Sequence, residues 1–266
     1  FRQCDIGIVN ADDEHCSDIL KGHICKVETY GFSEKADLRA SDLKLVNRPG
    51  FLGVDYHVSG LLNFDVEIDM PGRFSVYNSL VAIAVCRHFD IPKEDMLAAL
   101  EVVQTKGRIE KVKVSDDFTL MIDYAHNAMS LESLLTTLKE YNPKRLVCLF
   151  GCGGNRDATK RPIMGAAALG ADYAVVTSDN PRHEEPDAII ADIVAGMEDA
   201  ERFTVEPDRR SAIAAAIALA RPGDAILVAG KGHEDYQLVG DEVLSFDDRV
   251  VAAEELERAF GGACSD

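Results

Sequence analysis

Leu146-Val147-Cys148-Leu149-Phe150 runs directly into Gly151-Cys152-Gly153-Gly154-Asn155-Arg156-Asp157, and Lys160-Arg161-Pro162 then opens a helical stretch. A continuous apolar run of this length, ended by glycines and followed by a helix, reads as a strand buried on both faces. The same unit recurs on either side. Leu120-Met121-Ile122 leads into Asp123-Tyr124-Ala125-His126, and Tyr173-Ala174-Val175-Val176-Thr177 into Ser178-Asp179-Asn180-Pro181-Arg182. Ala225-Ile226-Leu227-Val228-Ala229 leads into Gly230-Lys231-Gly232-His233-Glu234-Asp235-Tyr236-Gln237. With helices predicted over about 129–140, 160–170, 187–198 and 209–220, the alternation predicts a mostly parallel sheet covered on both faces. Residues 105–266 are therefore expected to form a Rossmann-like α/β domain.

The preceding residues have a different texture. Ile6-Gly7-Ile8-Val9 reads as a strand, and residues 24–70 carry short alternating runs at 24–27, 43–46, 54–58 and 64–68. Period-two alternation between Gly and Pro punctuation predicts antiparallel strands. Helices follow over about 76–88 and 93–103, and the boundary falls near Gln104-Thr105-Lys106, so residues 1–104 are expected to form a separate, strand-rich region.

The chain has 266 residues and a formal net charge of −18, with 47% hydrophobic and 28% charged residues. That is the composition of a folded protein with a real core. Sequence-independent nucleic-acid binding is excluded, because it needs lysines and arginines to displace counterions from phosphates. An anionic ligand must instead meet a local basic cluster. No apolar run is long enough to span a membrane, so no membrane partner is expected. The seven cysteines, Cys4, Cys16, Cys25, Cys86, Cys148, Cys152 and Cys264, contain no C-x-x-C pair and read as reduced thiols, which predicts a cytoplasmic protein.

Ligands of an open parallel sheet bind outside the carboxyl ends of its strands, and those ends carry the unusual residues here. Glycines after a strand can be turn formers and loop charges can be solvated, yet four such ends place several cations and carboxylates on one rim. Such a rim suits a ligand bearing both carboxylates and amines. The run 151–154 does not fit G-x-G-x-x-G, and the chain has no Walker A motif, since Gly230-Lys231-Gly232-His233 lacks the spaced first glycine and the Ser/Thr.

These segments resemble the Mur ligases, ATP-dependent amide-forming enzymes of peptidoglycan synthesis. The likeness runs from Ile8-Val9-Asn10-Ala11-Asp12-Asp13 through Gly107-Arg108-Ile109-Glu110, Asp123-Tyr124-Ala125-His126 and the glycine run to Gly230–Gln237 and Phe246-Asp247-Asp248-Arg249. Asp179-Asn180-Pro181-Arg182 is similar to the tetrapeptide of the diaminopimelate-adding members. The resemblance implies that Arg156, Asp179, Asn180, Arg182, Gly230 and Glu234 bind meso-2,6-diaminopimelate. Arg182 would fork onto a carboxylate, and Asp179 and Glu234 would meet an ammonium. It implies that Asn78, Arg108, Asp123, His126 and Lys160 line the ATP side, with Mg²⁺ offsetting phosphate charge; Ser75 stands where many relatives have asparagine. Lys231 is a further candidate phosphate contact.

By the same resemblance, ATP activates the carboxylate of a UDP-MurNAc-dipeptide as an acyl phosphate, which the amino acid's amine attacks. The family's uridine-nucleotide-binding domain, Gly-rich phosphate loop, metal-binding carboxylate and histidine, and modified lysine have no counterpart in these residues. They are accordingly expected to be a fragment: the distal part of a central ATPase domain followed by the C-terminal amino-acid domain. It is expected to be monomeric, to have no metal ligands of its own and no catalytic residue that the sequence assigns, to meet the dipeptide nucleotide only through the missing domain, and not to form amide bonds alone. Two other readings are a folylpolyglutamate or cyanophycin synthetase, and a stand-alone diaminopimelate-binding module without catalysis.

Overall fold

The computed structural model describes residues 1–114 and 116–260, which leaves Cys264 outside the described residues. The chain divides into two compact units, one of Phe1–Asn47 with Phe51–Gln104, the other running from Thr105 and including Arg48–Gly50.

The first unit is a five-stranded sheet in sequence order: β1 (Ile6–Asn10), β2 (Lys26–Gly31), β3 (Leu38–Arg48), β4 (Phe51–Gly60) and β5 (Phe64–Ile68). A short helix α1 (Cys16–Ile19) lies between β1 and β2, and α2 (Arg73–Arg87) and α3 (Lys93–Val102) follow β5. Val54, Val58 and Ile68 of the strands pack with Val76, Leu80 and Ile83 of α2, all essentially inaccessible. Those α2 positions recur at three and four residues, which puts them on one helix face. The expectation of antiparallel strands over residues 24–70 holds for β4–β5 but not for β2–β3, which pair in parallel, as do β1 and β2. Alternation reports which faces a strand presents and is silent on its direction. Direction is set by the connection, and residues 11–25 are long enough to carry the chain back before β2 begins.

The second unit holds a six-stranded sheet. Its strands are β6 (Glu110–Val114), β7 (Phe118–Asp123), β8 (Leu146–Phe150), β9 (Tyr173–Val176), β10 (Phe203–Val205) and β11 (Asp224–Ala229), in the order β10-β9-β8-β11-β7-β6. All neighbours pair in parallel except the edge strand β6. Every residue of β7, β8 and β11 is buried, which explains their unbroken apolar runs. The helices are α4 (Ala128–Lys139), α5 (Lys160–Ala168), α6 (Pro186–Val194), α7 (Arg209–Ala218) and α8 (Asp248–Phe260). Helices α4, α5 and α6 pack in series, and α7 packs on α8. Asn127 and Asp208 cap α4 and α7 by accepting from Ser130 N and Ser211 N. A hairpin of β12 (Tyr236–Val239) and β13 (Glu242–Ser245) completes the unit. The chain steps outward from β7 past β8 and β9 to β10, then returns to insert β11 between β8 and β7. That reversal of strand order is where the carboxyl-end loops diverge and leave a crevice.

Candidate functional site

Four loops leave the carboxyl ends of β7, β8, β9 and β11 and enclose a cavity of about 510 Å³ within the second unit. Arg156, Asp179, Asn180, Arg182, Gly230 and Glu234 all line it, together with His126 and Lys160. The proposed amino-acid contacts are thus brought together from three loops. Asp123 and Arg108 belong to the same unit but not to the wall, and Asn78 lies exposed on α2 of the other unit.

The loops after β8 and β9 can lie so close because of two glycines. A Cβ on Gly151 would stand 2.4 Å from Thr177 O, and one on Gly154 would stand 1.8 Å from Pro181 O. Gly154 N also donates to Asn180 O at 2.9 Å. The glycine run is therefore a packing device between two loops.

The loop after β9 is gripped in turn by β12. Gln237 Nε2 donates to Asp179 O at 2.7 Å and Leu238 N to Asn180 Oδ1 at 3.0 Å. Arg182 N donates to Leu238 O, and Gly240 N to Arg182 O. These bonds hold Arg182 at φ 54, a left-handed conformation that a long side chain adopts only when its surroundings impose it. The guanidinium spends Nη1 on Gly154 O at 2.9 Å and Asn180 O at 3.4 Å. Nε and Nη2 have no partner among the described residues, and together they form the fork that takes a carboxylate through two parallel bonds.

Asp179 is 9% exposed, and its Oδ1 is buried without a hydrogen bond, though Lys231 Nζ stands 3.4 Å away. Oδ1 thus faces the lysine and is closed to a ligand; what Asp179 presents to the cavity is the remainder of its carboxylate, whose negative charge suits an ammonium. Glu234 Oε2 accepts from Asn180 Nδ2 at 2.9 Å and its Oε1 from Tyr124 OH at 3.5 Å. Arg156 and Lys160 are exposed and have no ion-pair partner among the described residues. In contrast, Arg161, also on the wall, is buried and pairs with Glu184 at 2.8 Å and Asp192 at 2.9 Å. Burial, then the charge of Asp179, pushes the Cys152 thiol up to about 12, so this wall cysteine stays protonated.

Behind the wall, Arg209 and Asp248 are wholly shut from solvent and joined by two bonds, at 2.8 and 2.6 Å. Arg209 also donates to Ser178 O at 3.1 Å and Ala229 O at 3.2 Å, the carbonyls just before Asp179 and Gly230. Two wall segments are thereby tied to one buried cation.

Two family models match. The Mur ligase middle domain matches residues 1–86, and the Mur ligase, glutamate ligase domain matches residues 107–232, so that together they account for most of the chain. The chain belongs to the Mur ligase family. Among curated Mur ligases, the UDP-N-acetylmuramoyl-L-alanyl-D-glutamate–2,6-diaminopimelate ligase of Syntrophomonas wolfei is 45% identical over 253 residues, covering 94% of this chain and 51% of that protein. The enzyme of the same name from Listeria monocytogenes is 42% identical over 260 residues, covering 96% and 52%. A solved structure of a ligase of this name aligns with a TM-score of 0.70 at 30% identity, over 96% of this chain and 53% of the other. The chain spans about half the length of the curated relatives it matches.

Several residues of this Mur ligase chain do something other than their motif suggests. Lys231 does not line the cavity: its side chain is completely buried among Asn180, Tyr236 and the carboxylates of Asp179 and Glu234. Asp123 accepts from Ile109 N through Oδ2 and from Ala125 N through Oδ1, both at 2.8 Å. Burial raises its pKa and these backbone donors oppose that rise. The bonds hold Ile109 at φ 44, next to Arg108, whose guanidinium lies 5.3 Å from the Tyr124 ring centre. Ser75 is buried and donates to Pro71 O at 2.8 Å. The Arg161–Glu184 and Arg209–Asp248 pairs are not legible in the sequence, because the partners lie 20 to 40 residues apart and no spacing rule links them. Among the described residues no group of three or more His, Cys, Asp or Glu is placed to hold a metal, and none is assigned to Mg²⁺. No helix of the described residues is long and apolar enough to cross a membrane.

Proposed function

We propose that this chain is the amino-acid-capturing half of an ATP-dependent ligase that adds meso-2,6-diaminopimelate to UDP-MurNAc-L-Ala-D-Glu in peptidoglycan precursor synthesis. The observation that carries the reading is the opposed chemistry of one cavity. Arg182 offers a free Nε/Nη2 fork a few residues from Asp179, a carboxylate on the same cavity wall. Diaminopimelate is an amino acid whose far end bears a second carboxylate and a second ammonium, and the two groups match this pair. The names of the relatives at 42–45% identity agree with that substrate.

Arg156 and Lys160 give the rim positive charge free to meet a carboxylate or phosphate. Arg108, His126 and Asn78 are assigned to the ATP side, and Asp123 supports that side by shaping the Arg108 segment. ATP supplies the phosphoryl group that activates the carboxyl partner. The chain's own residues orient the amino acid so that its near amine reaches that partner, a contribution of positioning and electrostatics.

Calorimetric titration of the chain with meso-diaminopimelate and L-lysine tests the reading. Lysine lacks only the far carboxylate. Binding of diaminopimelate at least about tenfold tighter is expected, the scale of one charge-assisted contact. Equal affinity, or preference for lysine, overturns it.

A further inference from the structure

Lys231 is the residue whose burial the proposed chemistry leaves unexplained. Its side chain is 0% exposed, and an ammonium taken out of water costs several kcal/mol unless its surroundings repay it. Nζ donates to Asn180 Oδ1 at 2.9 Å and to Tyr236 O at 2.7 Å, with Asp179 Oδ1 at 3.4 Å and Glu234 Oε2 at 3.9 Å.

Two consequences reach the cavity. Asn180 Oδ1 accepts from both Lys231 Nζ and Leu238 N, so the oxygen side of this amide is fixed and Nδ2 must face Glu234 Oε2, 2.9 Å away. The flipped amide would turn an oxygen lone pair onto the carboxylate, and Lys231 Nζ and Leu238 N together disfavour that state. Charge is the second consequence. Lys231 Nζ stands within 4 Å of both Asp179 and Glu234, so its charge offsets part of the repulsion between the two carboxylates.

We infer that Lys231 is a positioning residue for ammonium recognition: by holding Asn180 Oδ1 it aims Asn180 Nδ2 at Glu234 and sets the two carboxylates that receive the far ammonium of a diamino acid. The inference rests on the diaminopimelate reading of the cavity. Without the lysine, Asn180 Oδ1 is held by Leu238 N alone, the donor to Glu234 is less firmly aimed, and Asp179 and Glu234 lose the cation between them. The selective loss is of the ammonium contact, while the carboxylate fork of Arg182 is untouched.

The test is titration of the wild-type chain, Lys231→Met and Lys231→Gln with meso-diaminopimelate and with 2-aminopimelate, which lacks only the far ammonium. The wild type is expected to favour diaminopimelate by about tenfold or more, one charge-assisted contact. Lys231→Met is expected to cut that ratio to about threefold or less with little change for 2-aminopimelate, and Lys231→Gln, whose amide can still donate to Asn180, to fall between them. A folded Lys231→Met that keeps the wild-type ratio, or that loses both ligands in parallel, overturns the role of Lys231 alone. A wild type that does not discriminate overturns the diaminopimelate reading and the lysine's role with it. Should neither variant fold, hydrogen exchange of the Asn180 side-chain amide in the wild type decides. Slow exchange supports the locked amide, and exchange as fast as that of an exposed asparagine overturns it.

Discussion

Behind the cavity wall Arg209 and Asp248 are joined by two bonds with both side chains shut from water, whereas on the rim Arg156 and Lys160 stand exposed with no ion-pair partner among the described residues. Both regions belong to the carboxyl ends of the same sheet, yet the charges have opposite duties. Buried, paired charges hold backbone: Arg209 ties down the carbonyls of Ser178 and Ala229, and Arg161 is engaged by Glu184 and Asp192. Exposed, unpaired charges have nothing to hold and are open to a ligand. Arg182 stands between, with Nη1 spent on the loop and its other nitrogens free. A chain with net charge −18 thus offers an anion a few local cations, sorted by what already engages them.

The sharpest way to break the contrast is to orphan the buried cation. Asp248→Ala is expected to destabilise the second unit by about 3–5 kcal/mol, because Arg209 then keeps an uncompensated charge away from water. Urea unfolding measures this, and a loss below about 1 kcal/mol, the range of an exposed pair, would erase the distinction drawn here.

Gly154→Ala comes next. Its Cβ would meet Pro181 O at 1.8 Å, so the loops after β8 and β9 must part, at about 1–3 kcal/mol with loss of diaminopimelate binding. Thermal unfolding and titration of the same sample check both effects.

The first unit supplies a pH arm. Hydrogen bonding to Arg87, then to Lys26 and His88, outweighs burial and lowers the Glu28 carboxyl from its ordinary 4.5 to about 2. A carboxyl depressed on folding contributes stability that is complete above the ordinary value and is lost as pH falls from about 4.5 through about 2. Glu28→Gln should flatten the acid limb of the first unit's unfolding profile over that window, and an unchanged limb would remove Glu28 from the account.

On the rim, Arg156→Ala should leave stability within about 0.5 kcal/mol while weakening ligand binding. Arg182→Ala should lower both, since Nη1 also holds Gly154 O. Equal stability losses in the two variants would show that free and engaged cations are not sorted as described.

Much of this arrangement can be read before folding, and the remainder has identifiable causes. The strand 146–150 and the four carboxyl-end loops are legible because a doubly buried strand has no polar alternation and its exit carries glycine. The direction of β1, β2 and β3 is not, because alternation is the same for parallel and antiparallel neighbours. β10 has three residues and β13 is exposed throughout, so neither leaves an apolar signature. Asp-Asn-Pro-Arg and Gly-Lys-Gly-His-Glu-Asp-Tyr-Gln read as ligand motifs, but the structure uses much of both to grip each other: Gln237 on Asp179, Leu238 and Lys231 on Asn180. A motif shared for mutual packing and one shared for a ligand look alike in one dimension. Only burial separates Lys231 from Lys160.

The most direct test of the account is a crystal structure of the chain soaked with meso-diaminopimelate. One carboxylate is expected within about 3 Å of both Nε and Nη2 of Arg182, and the neighbouring ammonium at a similar distance from the carboxylates of Asp179 and Glu234. A ligand bound with that end toward solvent, or with its ammonium on neither carboxylate, would contradict it.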